Sequence, residues 1–439
     1  MPDLCRNGLP ATLGGWLDLL DARHGASICL GLDRVLTVRD RLACNTGAAV
    51  ITVGGTNGKG SVCAMLEAIL CAEGYRVGSY TSPHLLRYNE RVRVNGAEAG
   101  DEILAAAFAE VEAARGDVPL TWFEHGTLAA WKVFCDSKLD AVILEVGLGG
   151  RLDAVNVFDA DCAIVTSVAL DHMDYLGNTV EAIGFEKAGI FRAARPAIFG
   201  APHPPQSLLD HAAATGAALW VCGRDFGFNG NKQQWDYWRF DAPPAQGTLT
   251  RRGGLAYPAL RGANQLFNAA SVVTALDTLR QRLPVSMQSI RQGLMQVVLP
   301  GRFQVLPGQP AVVLDVAHNP QAAGVLAENL GAMGFYPETW AVFGMLADKD
   351  VEGVAGRIKN RIGHWLPCTL PGARGLDGSA LAKRLCAAGV EESKIEAVFG
   401  SPAAAFAAVQ ERVASDDRIV TFGSFLTVAD VLGAIRNRC

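Results

Sequence analysis

The segment at residues 50–61 reads VITVGGTNGKGS and decides the fold class of this chain. It opens with β-branched residues, as a buried strand does, and a helical pattern over residues 61–73 follows it. In the glycine-rich turn, backbone N–H groups and a helix N-terminus can converge on phosphate oxygens. Lys59 would place its charge on the β- and γ-phosphates, and Ser61 would offer a hydroxyl near a magnesium ion. We predict an ATP site whose contacts come from Thr56, Asn57, Gly58, Lys59, Gly60 and Ser61.

The match to the common phosphate-loop pattern G-x-x-x-x-G-K-[ST] is imperfect. That pattern requires a glycine at position 53 and a hydroxyl at position 60, where this chain has Val53 and Gly60. The alternative is a glycine-rich turn that carries a lysine by chance. The order of strand, loop, lysine, hydroxyl and helix favours the nucleotide site.

Length and composition narrow the class of protein. The 439 residues predict two or three domains, and the net charge of −5 gives no electrostatic case for a nucleic-acid partner. The 11 cysteines are scattered and the N-terminus lacks a secretory pattern, so we expect a cytoplasmic protein without a disulfide framework or a zinc site. No uncharged apolar run reaches the ~18 residues that a membrane span needs. We therefore expect small-molecule partners, with no nucleic acid and no membrane, and we expect Cys29, Cys63, Cys71, Cys135 and Cys162 to pack as small core residues.

Short apolar runs alternate with helical patterns, which is typical of an α/β fold with a mostly parallel sheet. The expected strands are residues 48–53, 76–80, 141–144, 162–166, 197–199, 311–314, 340–343, 396–399 and 418–422. Proline and glycine around Pro300 separate a second strand–helix series from the first. We therefore predict two domains, residues 1–298 and 299–439. Residues 223–262 lack a helical period, and we interpret them as a small antiparallel insertion or long loops.

Polar residues follow several of the apolar runs, and ligands gather at the carboxyl ends of strands in open α/β sheets. Ser82 follows the run 76–80, Glu145 follows 141–144, and His172 follows 162–166 after a short connection. A carboxylate beside a phosphate loop needs a cation, and Mg²⁺ takes a few carboxylate or hydroxyl ligands together with substrate phosphates. Glu145 is therefore a magnesium-ligand candidate, with a helix N-cap or a surface salt bridge as the alternative. For His172 the alternative is a core or hydrogen-bonding histidine, because imidazole suits softer metals.

These features support a family resemblance. The sequence GTNGKGS at residues 55–61 resembles the ATP loop of the Mur ligase superfamily, which contains the folylpolyglutamate synthases. Further segments match these synthases in the same order, at residues 81–91, 144–154, 170–172 and 186–190. The chain is similar to bifunctional dihydrofolate synthase/folylpolyglutamate synthases over nearly its whole length. The resemblance implies a P-loop ATPase-type N-terminal domain with a mostly parallel sheet and a Rossmann-like α/β C-terminal domain.

The resemblance also implies a metal and catalytic set. Ser82 and Glu145 would bind one magnesium ion, and His172 would bind a second. Lys187 would be carried as a carbamate, which turns a cation into an anion able to meet magnesium. Without the family, Lys187 would be interpreted as a solvated helix lysine. We therefore predict Lys59, Lys187 and His172 as the catalytic residues.

A dihydropteroate site is implied as well. A flat pterin ring favours aromatic or aliphatic faces with a few polar edge contacts. The family's pterin segments correspond to Cys29, Leu30, Gly31 and Leu32, to Thr121, Trp122, Phe123 and Glu124, and to Leu152, Asp153 and Ala154. Ordinary core packing is the alternative for Trp122 and Phe123. Two positions depart from the family, since Cys29 stands where an aspartate is frequent and Val155 where a threonine is commoner.

Three residues further along the chain match nucleotide contacts of the family. Asn268 matches an asparagine that contacts ATP, and Arg302 would approach the nucleotide phosphates. Asp315 would complete the nucleotide site, with a helix-capping aspartate as the alternative. The resemblance further implies a monomer.

Together these features predict an ATP-dependent ligase that adds L-glutamate to dihydropteroate and to tetrahydrofolate. The substrate carboxylate would attack the γ-phosphate to form an acyl phosphate, and domain closure would protect this intermediate from water. A Mur-type cell-wall amino-acid ligase is one alternative, against which residues 81–91 and 144–154 argue. A nucleotide-binding regulator without catalysis is the other, and the complete set of predicted metal and phosphate contacts argues against it.

Overall fold

The computed structural model describes residues 9–24, 29–231, 233–262 and 264–437 of the chain. These residues form two compact units. The first unit contains the described residues up to Ala259 together with Leu266–Val297. The second unit contains Leu260–Gln265 and the described residues from Val298 onward. Each unit is an α/β structure with a sheet of its own.

A large sheet and a small one organise the first unit. The strands are β1 (Ala49–Gly54), β2 (Val77–Tyr80), β3 (Val92–Val94), β4 (Ala97–Glu98), β5 (Ala141–Glu145), β6 (Cys162–Val165), β7 (Pro196–Phe199), β8 (Ala218–Val221), β9 (Phe226–Gly230), β10 (Trp235–Arg239) and β11 (Thr250–Leu255). The large sheet has the order β4-β3-β2-β5-β1-β6-β7-β8, and all neighbouring pairs from β2 to β8 are parallel. The predicted mostly parallel sheet is therefore confirmed, with β3 and β4 as an antiparallel edge. The small sheet, β11-β10-β9, is antiparallel and confirms the insertion predicted within residues 223–262.

Helices connect the parallel strands. Those of the first unit are α1 (Leu13–His24), α2 (Asp33–Leu42), α3 (Lys59–Glu73), α4 (Asp101–Arg115), α5 (Trp122–Asp136), α6 (Met173–Leu176), α7 (Val180–Ala188), α8 (Gln206–Thr215), α9 (Gln265–Thr278) and α10 (Met287–Gln296), with short 3-10 helices at Tyr88–Arg91 and Ala154–Val157. Every residue of β1 and β5 is buried, as expected of central strands in a parallel sheet that is covered on both faces.

The second unit repeats the α/β pattern on a smaller scale. Its strands are β12 (Gln304–Leu306), β13 (Ala311–Leu314), β14 (Thr339–Phe343), β15 (His364–Pro367) and β16 (Arg418–Phe422). Its helices are α11 (Pro320–Ala332), α12 (Val351–Ile358), α13 (Gly378–Ala387), α14 (Pro402–Gln410) and α15 (Phe425–Arg436), with 3-10 helices at Lys359–Arg361 and Glu392–Lys394. The sheet order is β12-β13-β16-β14-β15, in which only β12 is antiparallel to its neighbour. The predicted fold class is thus confirmed in both units.

Two expectations are wrong. Residues 396–399 do not form a strand, although they lie beside β15, because they make only isolated bridges at Ile395 and Phe399. Val398, between these bridges, is 43% exposed, and the segment forms no continuous ladder with β15. Cys29 is exposed and lies in the connection before α2, whereas Cys63 and Cys162 are buried as expected.

Within the described ranges, no helix combines the length and the apolar character needed to cross a membrane.

Candidate functional site

Parallel strands bring the candidate residues of the first unit to one edge of the large sheet. Val53 of β1 lies opposite Glu145 of β5. Gly54 of β1 lies opposite Val165 of β6, and β2 pairs with β5 on the far side. The carboxyl ends of β2, β5, β1 and β6 are therefore adjacent, as ligand-binding edges of such sheets are. The candidates at these ends are Ser82, Glu145, the loop at residues 55–61 and His172.

Two glycines shape the loop between β1 and α3, which we call the phosphate loop (residues 54–61). Gly55 has a φ of +135° and Gly58 a φ of +90°, values that favour glycine. A Cβ atom on Gly55 would lie 1.9 Å from Oγ1 of Thr166, and one on Gly58 would lie 2.7 Å from Oδ1 of Asn268. The backbone approaches these neighbours too closely for a side chain. The result is a concave turn of the kind that phosphate oxygens occupy.

Lys59 begins α3 and is half-buried. Its Nζ atom donates to the carbonyl oxygen of Gly55 at 3.0 Å and to that of Thr56 at 3.3 Å. The N-cap residue of α3 is Gly58, which has no side chain to cap the first N–H groups of the helix. The lysine charge and the positive end of the helix dipole therefore act on the same loop, as an anion site requires.

Two hydroxyl residues after β6, which the sequence pattern does not single out, brace the phosphate loop. Oγ1 of Thr166 donates to the carbonyl oxygen of Asn57 at 2.6 Å. Oγ of Ser167 accepts the N–H of Asn57 at 3.2 Å, and the carbonyl oxygen of Ser167 accepts the N–H of Thr56 at 2.8 Å. In the sequence, these two residues appear only as a Thr-Ser pair at the end of an apolar run. Their contact with the phosphate loop can be inferred only once β6 is known to lie beside β1.

Glu145 ends β5 and is 3% exposed. Its Oε2 atom accepts the N–H of Ser82 at 3.2 Å, which joins the ends of β5 and β2. Because the carboxylate is buried and accepts from the loop of a neighbouring strand, the alternatives of a surface salt bridge and a helix N-cap are wrong. Ser82 and Glu145 are thus brought together as predicted for two ligands of one cation, although that role itself stays a prediction.

His172 caps the short helix α6 with a left-handed backbone at φ +51°. This region is sparsely populated by residues with a side chain and is often found at functional sites. The N–H of His172 donates to Oδ1 of Asp171 at 2.9 Å, and its Nε2 atom lies 3.9 Å from the same oxygen. The imidazole is 33% exposed, so the alternative of a core histidine is wrong, while that of a hydrogen-bonding histidine stays open.

Lys187 lies in the last turn of α7 and is 4% exposed. Burial, and to a smaller extent the positive charge of Lys59, lowers the pKa of Lys187 to about 7. The carboxylates of Asp171 and Asp153 act on this pKa in the opposite direction. The fold therefore brings Lys187 into the electrostatic field of the phosphate loop and of the residues after β6. The alternative of a solvated helix lysine is wrong.

Asp153 is the most buried acid of the loop after β5. Oδ2 accepts the N–H of Leu148 at 2.8 Å, and Oδ1 accepts the N–H of Val155 at 3.0 Å. Burial nevertheless raises the pKa of Asp153 to about 6, against the lowering effect of these bonds and of Lys59. Its carboxylate therefore folds the loop onto itself, although burial disfavours its charged form.

Arg34 joins two of the three segments that are predicted to bind a pterin. Its guanidinium pairs with the Glu124 carboxylate at 2.7 and 3.3 Å and donates to the carbonyl oxygen of Cys29 at 2.8 Å. Glu124 also accepts the N–H of Thr121 at 2.7 Å, as part of a capping box at the start of α5. The T-x-x-E pattern of this capping box is visible in the sequence, but nothing there points to Arg34.

Phe123 connects the second pterin segment with the third. A Cβ atom on Gly147 would lie 2.6 Å from Cζ of Phe123, so the ring lies directly over the loop that leads to Asp153. Trp122 and Phe123 are half-buried and pack against the core, and the guanidinium of Arg91 lies 4.7 Å from the centre of the Trp122 ring. The three segments are thus neighbours, while ordinary core packing stays open as the role of both aromatic rings.

In the second unit, Asp315 follows β13. Its carboxylate accepts the N–H of Phe303 and the N–H of Ala317, each at 2.8 Å. Burial raises the pKa of Asp315, and the charge of Arg302 opposes this shift. The N-cap of α11 is Asn319, so the alternative of a helix-capping role for Asp315 is wrong. Arg302 and Asp315 are brought together, and their contact with nucleotide stays a prediction.

The oxygen atoms at the end of β2 and β5 fit a nucleotide-bound magnesium ion. Within the described part of the chain, no group of three or more His, Cys, Asp or Glu side chains is arranged to hold a metal ion by itself. Glu145 and Ser82 nevertheless offer a carboxylate and a hydroxyl at adjacent strand ends, beside the phosphate loop. Mg²⁺ needs only one or two such ligands when phosphate oxygens and water complete its shell.

Comparison with known proteins agrees with this geometry. The Mur ligase middle domain matches residues 53–238, and the glutamate ligase domain of Mur ligases matches residues 301–425. Fold and site thus define an ATP-dependent ligase of the Mur type. The chain is 44% identical to the dihydrofolate synthase/folylpolyglutamate synthase of Escherichia coli K12 over 428 residues, which are 97% of this chain and 96% of that protein. It belongs to the dihydrofolate synthase/folylpolyglutamate synthase family.

Solved structures support the same membership. E. coli FolC in complex with DHPP and ADP has a TM-score of 0.90 and 42% identity, covering 97% of this chain and 98% of that one. The bifunctional enzyme of Yersinia pestis with AMPPNP and a manganese ion has a TM-score of 0.87 and 43% identity, with the same coverage. The predicted family, two-domain fold, ATP and divalent cation are therefore confirmed, and the enzyme ligates glutamate to folates. The alternative of a cell-wall ligase is not supported.

Proposed function

We propose that this enzyme joins L-glutamate to dihydropteroate, forming dihydrofolate, and also extends tetrahydrofolate with further glutamates. One observation carries the proposal. The phosphate loop with Lys59 and the bonded pair Ser82 and Glu145 belong to the same edge of one parallel sheet, and the buried Lys187 lies within the electrostatic reach of Lys59. The name of the E. coli relative contains both activities, which supports assigning both to this chain.

The first step is the activation of a substrate carboxylate. A carboxylate oxygen attacks the γ-phosphorus of ATP, the bond from that phosphorus to the β–γ bridging oxygen breaks, and ADP leaves. Lys59 and the N–H groups of the phosphate loop hold the charge that develops on the phosphate oxygens. Magnesium, held by Ser82 and Glu145 with a second ion at His172, would neutralise further charge there. Asn268 lies beside the loop, since its Oδ1 would meet a Cβ atom on Gly58 at 2.7 Å, and it would contact the nucleotide there.

The second step forms the amide bond. The neutral amine of L-glutamate attacks the acyl carbon, the C–O bond to phosphate breaks with its electron pair, and the nitrogen loses a proton. Water would destroy the acyl phosphate, so the site must exclude it while the amine binds. The three pterin segments, linked through Arg34 and Phe123, would hold the ring system of the first substrate away from this chemistry.

Lys187 is proposed to act as a carbamate. Only a neutral amine adds CO₂, and a pKa of about 7 leaves a sizeable neutral fraction at physiological pH. The neutral amine forms an N–C bond to CO₂ and releases one proton, so a buried neutral group becomes a buried anion. The new anion would be attracted by Lys59 and would supply a further anionic oxygen for magnesium.

Several finer assignments remain part of the proposal. They are nucleotide contacts from Arg302 and Asp315, an ATP-binding role for residues 1–298, a ligase role for residues 299–439, a monomeric state and a cytoplasmic location.

The test is a ligation assay with purified protein, ATP, magnesium and labelled L-glutamate. Dihydropteroate and tetrahydrofolate are offered separately, and reactions without folate or without glutamate serve as controls. We expect label in both products, with one ADP and one phosphate released for each glutamate added. Binding of nucleotide without incorporation into either substrate would overturn the proposal in favour of a regulator. Incorporation into one substrate alone would remove the other activity.

A further inference from the structure

Glu90 has no role in the contacts assigned so far, yet its carboxylate organises the loop that carries Ser82. We call residues 81–91 the Ser82 loop. One carboxylate oxygen of Glu90 accepts the N–H of Leu85 at 2.7 Å. The other accepts the N–H of Leu86 at 2.7 Å and that of Arg87 at 2.8 Å. Charge-assisted bonds of this length are stronger than neutral ones, so a single side chain gathers three consecutive residues of the loop.

The base of the Ser82 loop is tied together as well. The N–H of Thr81 donates to the carbonyl oxygen of Arg91 at 2.9 Å, and Oγ1 of Thr81 donates to that of Glu90 at 3.4 Å. Ser82 is the next residue, and its N–H donates to Glu145 at 3.2 Å. The position of Ser82 relative to Glu145 therefore depends on a loop that Glu90 closes at its middle and at its base.

We propose that Glu90 is a positioning residue, which fixes the Ser82 loop so that the Ser82 hydroxyl and the Glu145 carboxylate meet one divalent cation. The inference rests on the proposed metal role of Ser82 and Glu145. The competing view is that Glu90 only completes a capping box for the 3-10 helix at Tyr88–Arg91, where it would affect stability but not cation binding.

Glutamine is the informative replacement. A carboxylate accepts on both oxygens, whereas an amide has one oxygen and a donating NH₂ group. In Glu90→Gln the NH₂ group would face the N–H of at least one of Leu85, Leu86 and Arg87, and two donors cannot bond. The variant therefore keeps the size of the side chain while it releases part of the loop.

The experiment measures Mn²⁺ binding by calorimetry in the presence of AMPPNP, which needs no turnover. We expect the Kd for Mn²⁺ to rise about tenfold in Glu90→Gln, the usual size for a group that orients a metal ligand. Hydrogen exchange at residues 85–87 should be faster, and the Mg²⁺ concentration for half-maximal ligation should rise in parallel. The matched control is Glu98→Gln, because Glu98 pairs with Arg87 of the same loop at 2.6 Å on the surface. Such exposed pairs contribute little, so its Kd should equal that of the wild type.

Wild-type Mn²⁺ affinity in folded Glu90→Gln would overturn the inference, as would weaker binding without faster exchange at residues 85–87. If Glu90→Gln does not fold, Glu90→Asp replaces it, since this variant keeps the charge but shortens the reach. A folded Glu90→Asp should bind Mn²⁺ more weakly than the wild type, and equal affinity would again refute the role. A wild type that binds Mn²⁺ but ligates no glutamate would refute the proposed function. The inference on Glu90 would still be tested in that case, because Mn²⁺ binding is measured without turnover.

Discussion

The phosphate loop and the last turn of α7 bring two lysines within electrostatic reach of each other by opposite means. The phosphate loop is marked by its own residues, since Gly55 and Gly58 adopt positive φ angles and Lys59 bonds to loop carbonyl oxygens. Helix α7 has an ordinary helical sequence, VEAIGFEKA, and its last turn carries a lysine that the fold buries to 4% exposure. A local pattern creates the first feature, and tertiary burial creates the second.

This difference separates two kinds of chemistry. A lysine that donates to carbonyl oxygens at a helix N-terminus is arranged to meet phosphate oxygens as a cation. Burial of Lys187 disfavours its charged form and lowers its pKa to about 7, which favours a reactive neutral amine. The comparison predicts that the two lysines respond differently to substitution and to pH.

The largest effect is expected for Lys59→Ala. Removing a charge that stabilises the transferring phosphoryl group should lower kcat by on the order of 10²–10³-fold. The fold should be retained, because Lys59 is half-buried and its bonds are confined to the loop. Steady-state ligation kinetics measure the loss, and circular dichroism checks the fold. Lys383→Ala, an exposed lysine of α13, is the control and should ligate normally. Full activity of Lys59→Ala would show that phosphoryl transfer does not need the charge of Lys59, and the proposed difference between the two lysines would be wrong.

The second prediction concerns Lys187→Met and the pH dependence of stability. The pKa of Lys187 is about 7 in the folded protein and 10.5 ordinarily, so between these values the unfolded chain binds a proton that the folded chain lacks. The free energy of unfolding of the wild type should therefore rise with pH between these two values, by about 1.4 kcal/mol per pH unit. Below this window the wild type should be destabilised by the full cost of neutralising Lys187 on folding. Methionine does not titrate. The free energy of unfolding of Lys187→Met should exceed that of the wild type, and this excess should shrink by about 2–3 kcal/mol from pH 7.5 to pH 9.5.

Urea unfolding at several pH values measures this difference, in buffer free of CO₂ and divalent cations. Titrating groups that do not interact with Lys187 cancel between the two proteins. The test can then be repeated with bicarbonate, where carbamate formation should stabilise the wild type alone. If the free energies of unfolding of the two proteins changed equally with pH, Lys187 would not be buried as a neutral amine. The proposed difference between Lys59 and Lys187 would then be wrong.

The sequence predicts the phosphate loop well and α7 poorly, for a physical reason. Strand, glycine turn, lysine and helix N-terminus are all local, so residues 50–61 specify the loop without the rest of the chain. The burial of Lys187 depends on packing between segments that are distant in sequence, such as the backbone carbonyl of Glu186 accepting the N–H of Arg151 at 2.8 Å. Only the family resemblance could point to this lysine.

The same reason explains the remaining successes and failures. The parallel strands are predicted because continuous apolar runs mark them. Residues 396–399 are also such a run, but they form only an isolated bridge to the neighbouring strand. Glu145 and Ser82 are predicted because they follow strands directly. Arg34 and Glu90 are missed, since each acts through a partner that the sequence does not place next to it.

Gly55→Ala tests the steric part of the phosphate loop. A methyl group there would lie 1.9 Å from Thr166 Oγ1 on a backbone with φ +135°, so the loop must move. Nucleotide affinity, measured by calorimetry with AMPPNP, should fall about tenfold. The control is Gly74→Ala, where φ is +97° and no heavy atom lies within 4 Å of the added carbon. That variant should lose about 1–2 kcal/mol of stability and keep its affinity. Equal affinities in both variants would mean that the close approach to Thr166 is dispensable.

The smallest effect is expected for Ser167→Ala, which asks how far the phosphate loop depends on its neighbour strand. The hydroxyl accepts the N–H of Asn57 at 3.2 Å and donates to the carbonyl oxygen of Asn57 at 3.3 Å, but the backbone carbonyl of Ser167 keeps its bond to Thr56 at 2.8 Å. Loss of these two long bonds should weaken AMPPNP binding about threefold. Ser137→Ala, which removes a hydroxyl bond of 2.6 Å to the end of α5, should leave it unchanged. A loss as large as that of Lys59→Ala would show that the loop, like α7, is specified by tertiary contacts and not by its own sequence.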